Sequence, residues 1–201
     1  VTVPVAPAAA EPAIRRALAK GPDRAVRVWD DRFDGTDDPR VTARVLAGVA
    51  TDIEPDLVVS GTRSATDRVG ATAVMLATQL DYGWATGVTD ATLDGEAGIV
   101  SVRRTLSGRE TALLDVTVPA VVTVPAGSTE PQYAGLAAVR DAQHAEIDVR
   151  SLADLGLRPA AVESGLTSID RRERADEVTV LDGPTEATRL AAVLRANGVR
   201  Q

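Results

Sequence analysis

The residues best suited to chemistry form one run, Gly61-Thr62-Arg63-Ser64-Ala65-Thr66-Asp67-Arg68-Val69-Gly70-Ala71-Thr72. It follows a nearly all-apolar stretch, 56–60 (DLVVS), and leads into a segment with apolar residues at helical spacing. Backbone N–H groups at a helix start favour phosphate, and open α/β sheets bind ligands at the carboxyl ends of their strands. Gly61 and Gly70 permit close backbone approach, and Ser64, Thr66 and Thr72 offer hydroxyls. Arg63 or Arg68 can pair with a phosphate. The run is not a Walker A loop, because it lacks Gly-Lys-Ser/Thr, and it is not GxGxxG. Two readings stay open at this point: a phosphate site and a plain strand–helix turn.

Other constellations are weaker. The chain has no cysteine, which excludes disulfide scaffolds, thiolate zinc sites, iron–sulfur ligation and cysteine nucleophiles. Its one histidine, His144, excludes a His-rich metal site and reads as a helix-end surface residue. The acidic loop 30–38 (DDRFDGTDD) lacks the spaced ligands and closing Glu of an EF-hand, so it reads as a solvated loop. Trp84 reads as core or interface. The cluster 170–174 (DRRER) mixes both signs and reads as a solvated or partner-facing arm. No nucleophile–base pair or carboxylate dyad stands out, and no metal or catalytic residue is assigned.

The elements that must hold the loop alternate. Extended residues 1–5 precede a helix over 7–20, a strand over 25–29, and a helix from Pro39 with Asp38 as its cap, ended by Pro55. The strand 56–60 and a helix over 68–80 complete the series, which predicts a parallel sheet covered by helices. The period then changes: strands near 87–93, 98–106 and 110–116 predict antiparallel hairpins, followed by an apolar strand over 120–124. A helix over 133–143 and a short strand at Ile147 and Val149 close this part. From Ser151 to Glu177 hydrophobic density is low, which predicts either a disordered segment or an arm lying on another surface. A strand over 178–181 and a helix ending at Gly198 follow. The expected domains are therefore 1–150, an α/β nucleotide-binding-like unit, and 151–201, a C-terminal arm and helix.

The 201 residues carry 22 basic and 29 acidic side chains, a net charge of −7 that argues against nucleic acid as partner. Lys20 is the only lysine, and the five aromatics are Trp29, Phe33, Tyr82, Trp84 and Tyr133, so Ala, Val and Leu must build the core. Such an acidic, lysine-poor surface fits salt adaptation, and GC-rich codon usage gives the same bias. No apolar run reaches the ~20 residues that span a bilayer, so no membrane insertion is expected. No signal peptide is evident, and the expected compartment is the cytoplasm. The chain opens without Met on what reads as a strand, as the remainder of a longer chain would.

Four runs in order resemble the β subunit of electron transfer flavoprotein: 17–28 (ALAKGPDRAVRV), 55–61 (PDLVVSG), 119–123 (PAVVT) and 130–134 (EPQYA). The family pattern reads ALxxGADRAxxV, PDLVLxG, LPAVVT and NEPRYAxL, and 154–157 (DLGL) also fits. The run RVWDD at 27–31 is similar to β subunits of halophiles. The resemblance implies a fold of the adenine-nucleotide hydrolase-like type. It implies a heterodimer with an α subunit that holds most of an FAD site. Such a pair carries electrons from flavin dehydrogenases, such as acyl-CoA dehydrogenase, to a membrane quinone reductase, as a carrier rather than an enzyme. The β subunit would bind AMP or a second FAD through Gly61, Arg63, Ser64, Asp67, Gly70, Ala71 and Thr72. Gly70 and Ala71 replace the family's polar pair and Ala73 its usual Gly, leaving the contacts to backbone N–H groups and the Thr72 hydroxyl. Tyr133 and Leu136 match the loop that docks partner dehydrogenases; a buried helix residue is the bland reading of Leu136. The resemblance also implies a portion ahead of Val1 that supplies the first strand, and an arm, 151–177, that embraces the α subunit. Two other readings remain: a universal-stress-type nucleotide-binding homodimer, which the hairpins and arm disfavour, and a structural subunit with a degenerate site.

Overall fold

A computed structural model of the chain describes residues 1–31, 33, 38–64, 69–106, 110–130, 132–158, 185–196 and 198. They fall in two units, Val1–Thr167 and Ser168–Gln201. In the first, a 3-10 turn (Ala8–Ala10) leads into helix α1 (Glu11–Leu18), strand β1 (Ala25–Val28), α2 (Pro39–Ile53), β2 (Leu57–Gly61), α3 (Thr72–Leu80) and β3 (Gly83–Ala85). Strands β4 (Val88–Asp94), β5 (Ile99–Thr105), β6 (Thr111–Thr117) and β7 (Ala120–Val124) follow, then α4 (Leu136–His144) and β8 (Ile147–Arg150). The second unit is described through one helix, α5 (Glu186–Ala196). The expected strand over 178–181 and the cluster 170–174 lie outside the described residues.

The fold is the expected α/β class: parallel strands flanked by helices, with an antiparallel sheet beside them. β7 is the centre of a parallel sheet, β2-β7-β3, and its two faces bury different partners. Val121 packs with Ala43 of α2 and Ala73, Leu76 and Ala77 of α3. Ala120 and Val122 pack with Val88, Val100 and Val102 of the antiparallel sheet β4-β5-β6. A strand covered on both faces is nearly all apolar, as 120–124 (AVVTV) is, with Thr123 its one polar side chain. The alanines let two helices approach the sheet closely, so a core with few aromatics still closes.

Residues 1–5 lie parallel to β1. The Thr2 N–H donates to the Arg24 carbonyl (3.0 Å), Val26 N–H to Thr2 (2.9 Å), Val28 N–H to Pro4 (3.0 Å) and Ala6 N–H to Val28 (3.0 Å). Pro4 has no N–H, so the ladder skips one bond and reduces to two bridges at Thr2 and Val5. β8 pairs with the other edge of β1 in parallel register. Among the described residues nothing pairs with the outer edge of 1–5 or with the free edge of β2. These two edges face a shared groove of about 210 Å³, walled by Val1, Val3 and Leu57 to Ser60 and floored by Leu46, Val49 and Leu76. The parallel strands thus form two pieces rather than one continuous sheet.

Boundaries shift for local reasons. The first helix starts at Glu11 rather than Pro7, because Pro12 occupies its first turn and the preceding turn is 3-10. α4 starts at Leu136, three residues later than expected. β3 is only three residues long and Gly83 is needed in it: a Cβ there would lie 2.7 Å from Val116 Cγ1 and 2.8 Å from the Thr117 carbonyl. The sequence reading ends the first domain at 150, yet Leu152 is fully buried among Val26, Val28, Val45 and Val49, with Leu155 and Leu157 packed against them. The core of the first unit therefore extends at least to Leu157.

Candidate functional site

The carboxyl ends of β2 and β7 lie side by side, with Gly61 opposite Val124. The loop leaving β2 returns at Gly70 to start α3, and the two arms touch. Gly70 has φ +66, and a Cβ there would lie 2.6 Å from Arg63 Cγ and 2.8 Å from the Thr62 carbonyl oxygen. Only glycine meets both demands, a left-handed backbone and no side-chain volume. The closed loop forms a cavity of about 340 Å³ lined by Gly61, Thr62, Arg63, Ser64, Gly70 and Thr72, with Val3, Val5, Thr42 and Leu46 opposite. Of the residues expected here, Gly61, Arg63, Ser64, Gly70 and Thr72 line this space. Ala71 does not line it; it precedes α3, and its carbonyl accepts from the Met75 N–H at 3.0 Å. Asp67 lies outside the described residues.

The two helices beside the cavity differ electrostatically. At α2 the buried Asp38 carboxylate accepts from the Arg40 N–H at 2.9 Å and from the Arg40 guanidinium at 2.7 Å. That hydrogen bond, and then the carboxylate charge, raise the Arg40 pKa. The positive end of the α2 dipole is thus already matched by an internal anion. α3 has no side-chain cap at Ala71, and Thr72 brings its hydroxyl to the first position of the helix. An anion in the cavity would meet the start of α3, which has no side-chain cap at Ala71, the Thr72 hydroxyl and the exposed Arg63, whereas the Thr42 hydroxyl is already donated to the Asp38 carbonyl at 3.3 Å. This arrangement can hold a phosphate group; it offers no nucleophile paired with a base.

A larger cavity, about 820 Å³, lies between α1 and the segment before α4. Its walls include Pro12, Arg16, Lys20, Tyr133, Ala134 and Val139. Its one lining hydroxyl is the Tyr133 phenol and none of its lining residues comes from a strand end, so the smaller loop cavity is the better ligand site. The segment beside it exposes apolar side chains: Tyr133 is fully exposed and Leu136 is 86% exposed. Leu136 is therefore not a buried helix residue. Arg15 fixes the far end of α4. Its guanidinium donates to the carbonyls of Ala142 (2.7 Å) and Ala145 (3.1 Å) at the end of α4, while Glu11 holds it at 2.7 and 2.9 Å. His144 closes α4, with its Nδ1 2.9 Å from the Arg140 carbonyl, and joins neither cavity.

Comparison with known proteins decides the family. A family model described as an electron transfer flavoprotein domain matches residues 1–155. The chain belongs to the electron transfer flavoprotein β-subunit family. It is 36% identical over 157 residues to the electron transfer flavoprotein subunit beta of Methylophilus methylotrophus, covering 78% of this chain and 59% of that protein. It is 31% identical over 182 residues to that of Bradyrhizobium diazoefficiens, covering 90% and 71%. It is 33% identical over 182 residues to that of Bos taurus, covering 90% and 70%. The chain thus spans 59% of the first relative's length.

For this β-subunit family member, sequence reasoning missed Thr42, Thr62, Val3 and Val5 as cavity residues. Thr42 had a signal, since the Asp38-Pro39 cap places it in the first turn of α2. Among the described residues no group of three or more His, Asp or Glu is placed to hold a metal. No helix among them is long and apolar enough to cross a membrane.

Proposed function

We propose that this chain is the β subunit of a heterodimeric electron carrier, and that its 61–72 loop holds the phosphate of an adenine nucleotide, AMP or a second FAD. The observation that carries the nucleotide assignment is the closed loop at the carboxyl ends of β2 and β7, facing an uncapped helix start. Gly61 and Gly70 bring backbone close to the ligand, Thr62 and Thr72 supply hydroxyls, Ser64 and Arg63 lie at the mouth, and Ala71 and Asp67 belong to the same run. Val3, Val5 and Leu46 give the opposite wall an apolar surface for a base or sugar.

In this reading the redox chemistry belongs to a flavin, held mostly by an α subunit, which accepts and returns electrons. The chain's own part is to bind, orient and dock, and it is not an enzyme. Tyr133 and Leu136 present an exposed apolar contact to flavin dehydrogenases of the acyl-CoA dehydrogenase kind, and electrons pass onward to a quinone reductase. Of the expected arm 151–201, the part beyond Leu157, which the core of the first unit does not hold, serves to engage the α subunit. The compartment is the cytoplasm.

Co-expression with an α subunit, followed by acid extraction, tests the proposal. It predicts a one-to-one complex that retains FAD and about one further adenine nucleotide per chain of this subunit. A stable homodimer that never yields flavin with an α partner contradicts the carrier reading. A flavin-bearing heterodimer without the second nucleotide favours a structural subunit with a degenerate site.

A further inference from the structure

Beneath the loop cavity lies a hydroxyl that the nucleotide reading does not use. Thr123, near the end of β7, is 2% exposed and, with Asp38, one of two buried polar residues among those described. Its Oγ1 accepts from the Gly87 N–H at 3.1 Å and lies 3.2 Å from Thr62 Oγ1. The Thr62 N–H donates to the Val124 carbonyl at 3.1 Å, so the first loop residue is tied to β7 twice. Gly87, with φ +68, is the turn that carries the chain from β3 into the antiparallel sheet. Three segments therefore meet on one side chain: the loop after β2, the end of β7, and the β3–β4 turn.

We infer that Thr123 is a positioning residue that sets the Thr62 end of the ligand loop relative to both sheets. It rests on the proposal that this loop binds nucleotide, but its ordering role stands on geometry alone. Thr123 does not line the cavity; Thr62 does. Either hydroxyl can donate in the Thr62–Thr123 bond; with Thr123 as donor, the Thr62 O–H keeps its proton for an anion on the cavity side. Replacing the Thr123 hydroxyl by a methyl keeps the volume and strands two partners, the Gly87 N–H and the Thr62 hydroxyl. The loop then loses a tie at its root, while the apolar packing of β7 is retained.

The test compares Thr123→Val and Thr123→Ser in the complex with an α subunit, using AMP titration and amide hydrogen exchange. Thr123→Val should weaken AMP binding about tenfold, the loss of roughly one hydrogen bond. It should also speed exchange at Thr62 and Gly87. Thr123→Ser, which keeps the hydroxyl, should restore both to within about twofold of wild type. A Thr123→Val protein with lowered thermal stability but unchanged AMP affinity and unchanged exchange at Thr62 overturns the inference. If Thr123→Val does not fold, Thr123→Cys, with a weaker donor and acceptor of similar size, is read by the same two measurements. If the wild-type complex binds neither AMP nor a second FAD, the nucleotide proposal fails by itself. Exchange at Thr62 and Gly87 then still decides whether Thr123 orders the loop.

Discussion

Gly70 is the residue on which the candidate site's shape depends most. A methyl group there meets the Arg63 stem and the Thr62 carbonyl while the backbone stays left-handed. Gly70→Ala should therefore cost about 1–3 kcal/mol and lower AMP affinity in titration. Gly95→Ala is the control: nothing lies within 4 Å of its Cβ position, and the change should stay within about 0.5 kcal/mol. Leu136 behaves oppositely. It is 86% exposed, so Leu136→Ala should leave the melting temperature nearly unchanged. Reduction of the complex by a flavin dehydrogenase should slow, with flavin content unaltered; an unchanged rate removes the docking assignment. Glycine at position 70 was legible as a point of close backbone approach, although not what it approaches. Thr123 was not legible as more than a buried β-branched residue, because its partners lie 61 and 36 positions away.

Among the elements, the turn after β8 links local chemistry to the core. The Ser151 N–H and hydroxyl donate to the Asp154 carboxylate at 2.8 and 2.7 Å, and the turn they make directs Leu152 inward. Leu152→Ala should cost about 2–5 kcal/mol in denaturant unfolding, as for other fully buried leucines. The bonds from Ser151, backbone first, hold Asp154 below the ordinary carboxylate value of 3.8. Its folded pKa is thus depressed relative to the unfolded chain, so its contribution is present above about 3.8 and lost as pH falls through the folded value. An NMR titration should place Asp154 below 3.8, and Asp154→Asn should flatten that part of the acid limb. The helices and the buried strands were legible from apolar spacing, and α2 was legible to its ends because Asp38 caps it and Pro55 follows it. β3 was not: three residues carry no period, and Gly83 reveals its role only beside Val116. Leu152 was hidden in a polar stretch because its burial depends on α2 and β1, more than a hundred residues away.

The whole molecule carries a net charge of −7, and Asp38 is the only buried carboxylate among the described residues. Glu11, Asp52 and Asp148 pair with arginines, and the excess of acidic charge over basic repels itself at the surface, where salt screens it within ~10 Å at 0.1 M. If the surface is salt-adapted, the melting temperature should rise between 0.1 and 2 M KCl; a fall would assign the composition to codon usage. The carrier role belongs to this scale too, because it needs the loop, the exposed Leu136 face and an α subunit together. Its most direct measurement is stopped-flow bleaching of flavin absorbance when a flavin dehydrogenase with its substrate is mixed with the complex of this chain and an α subunit. The account predicts rapid reduction that requires this chain and slows with Leu136→Ala. Flavin reduction no faster with this chain than with the α subunit alone would contradict it.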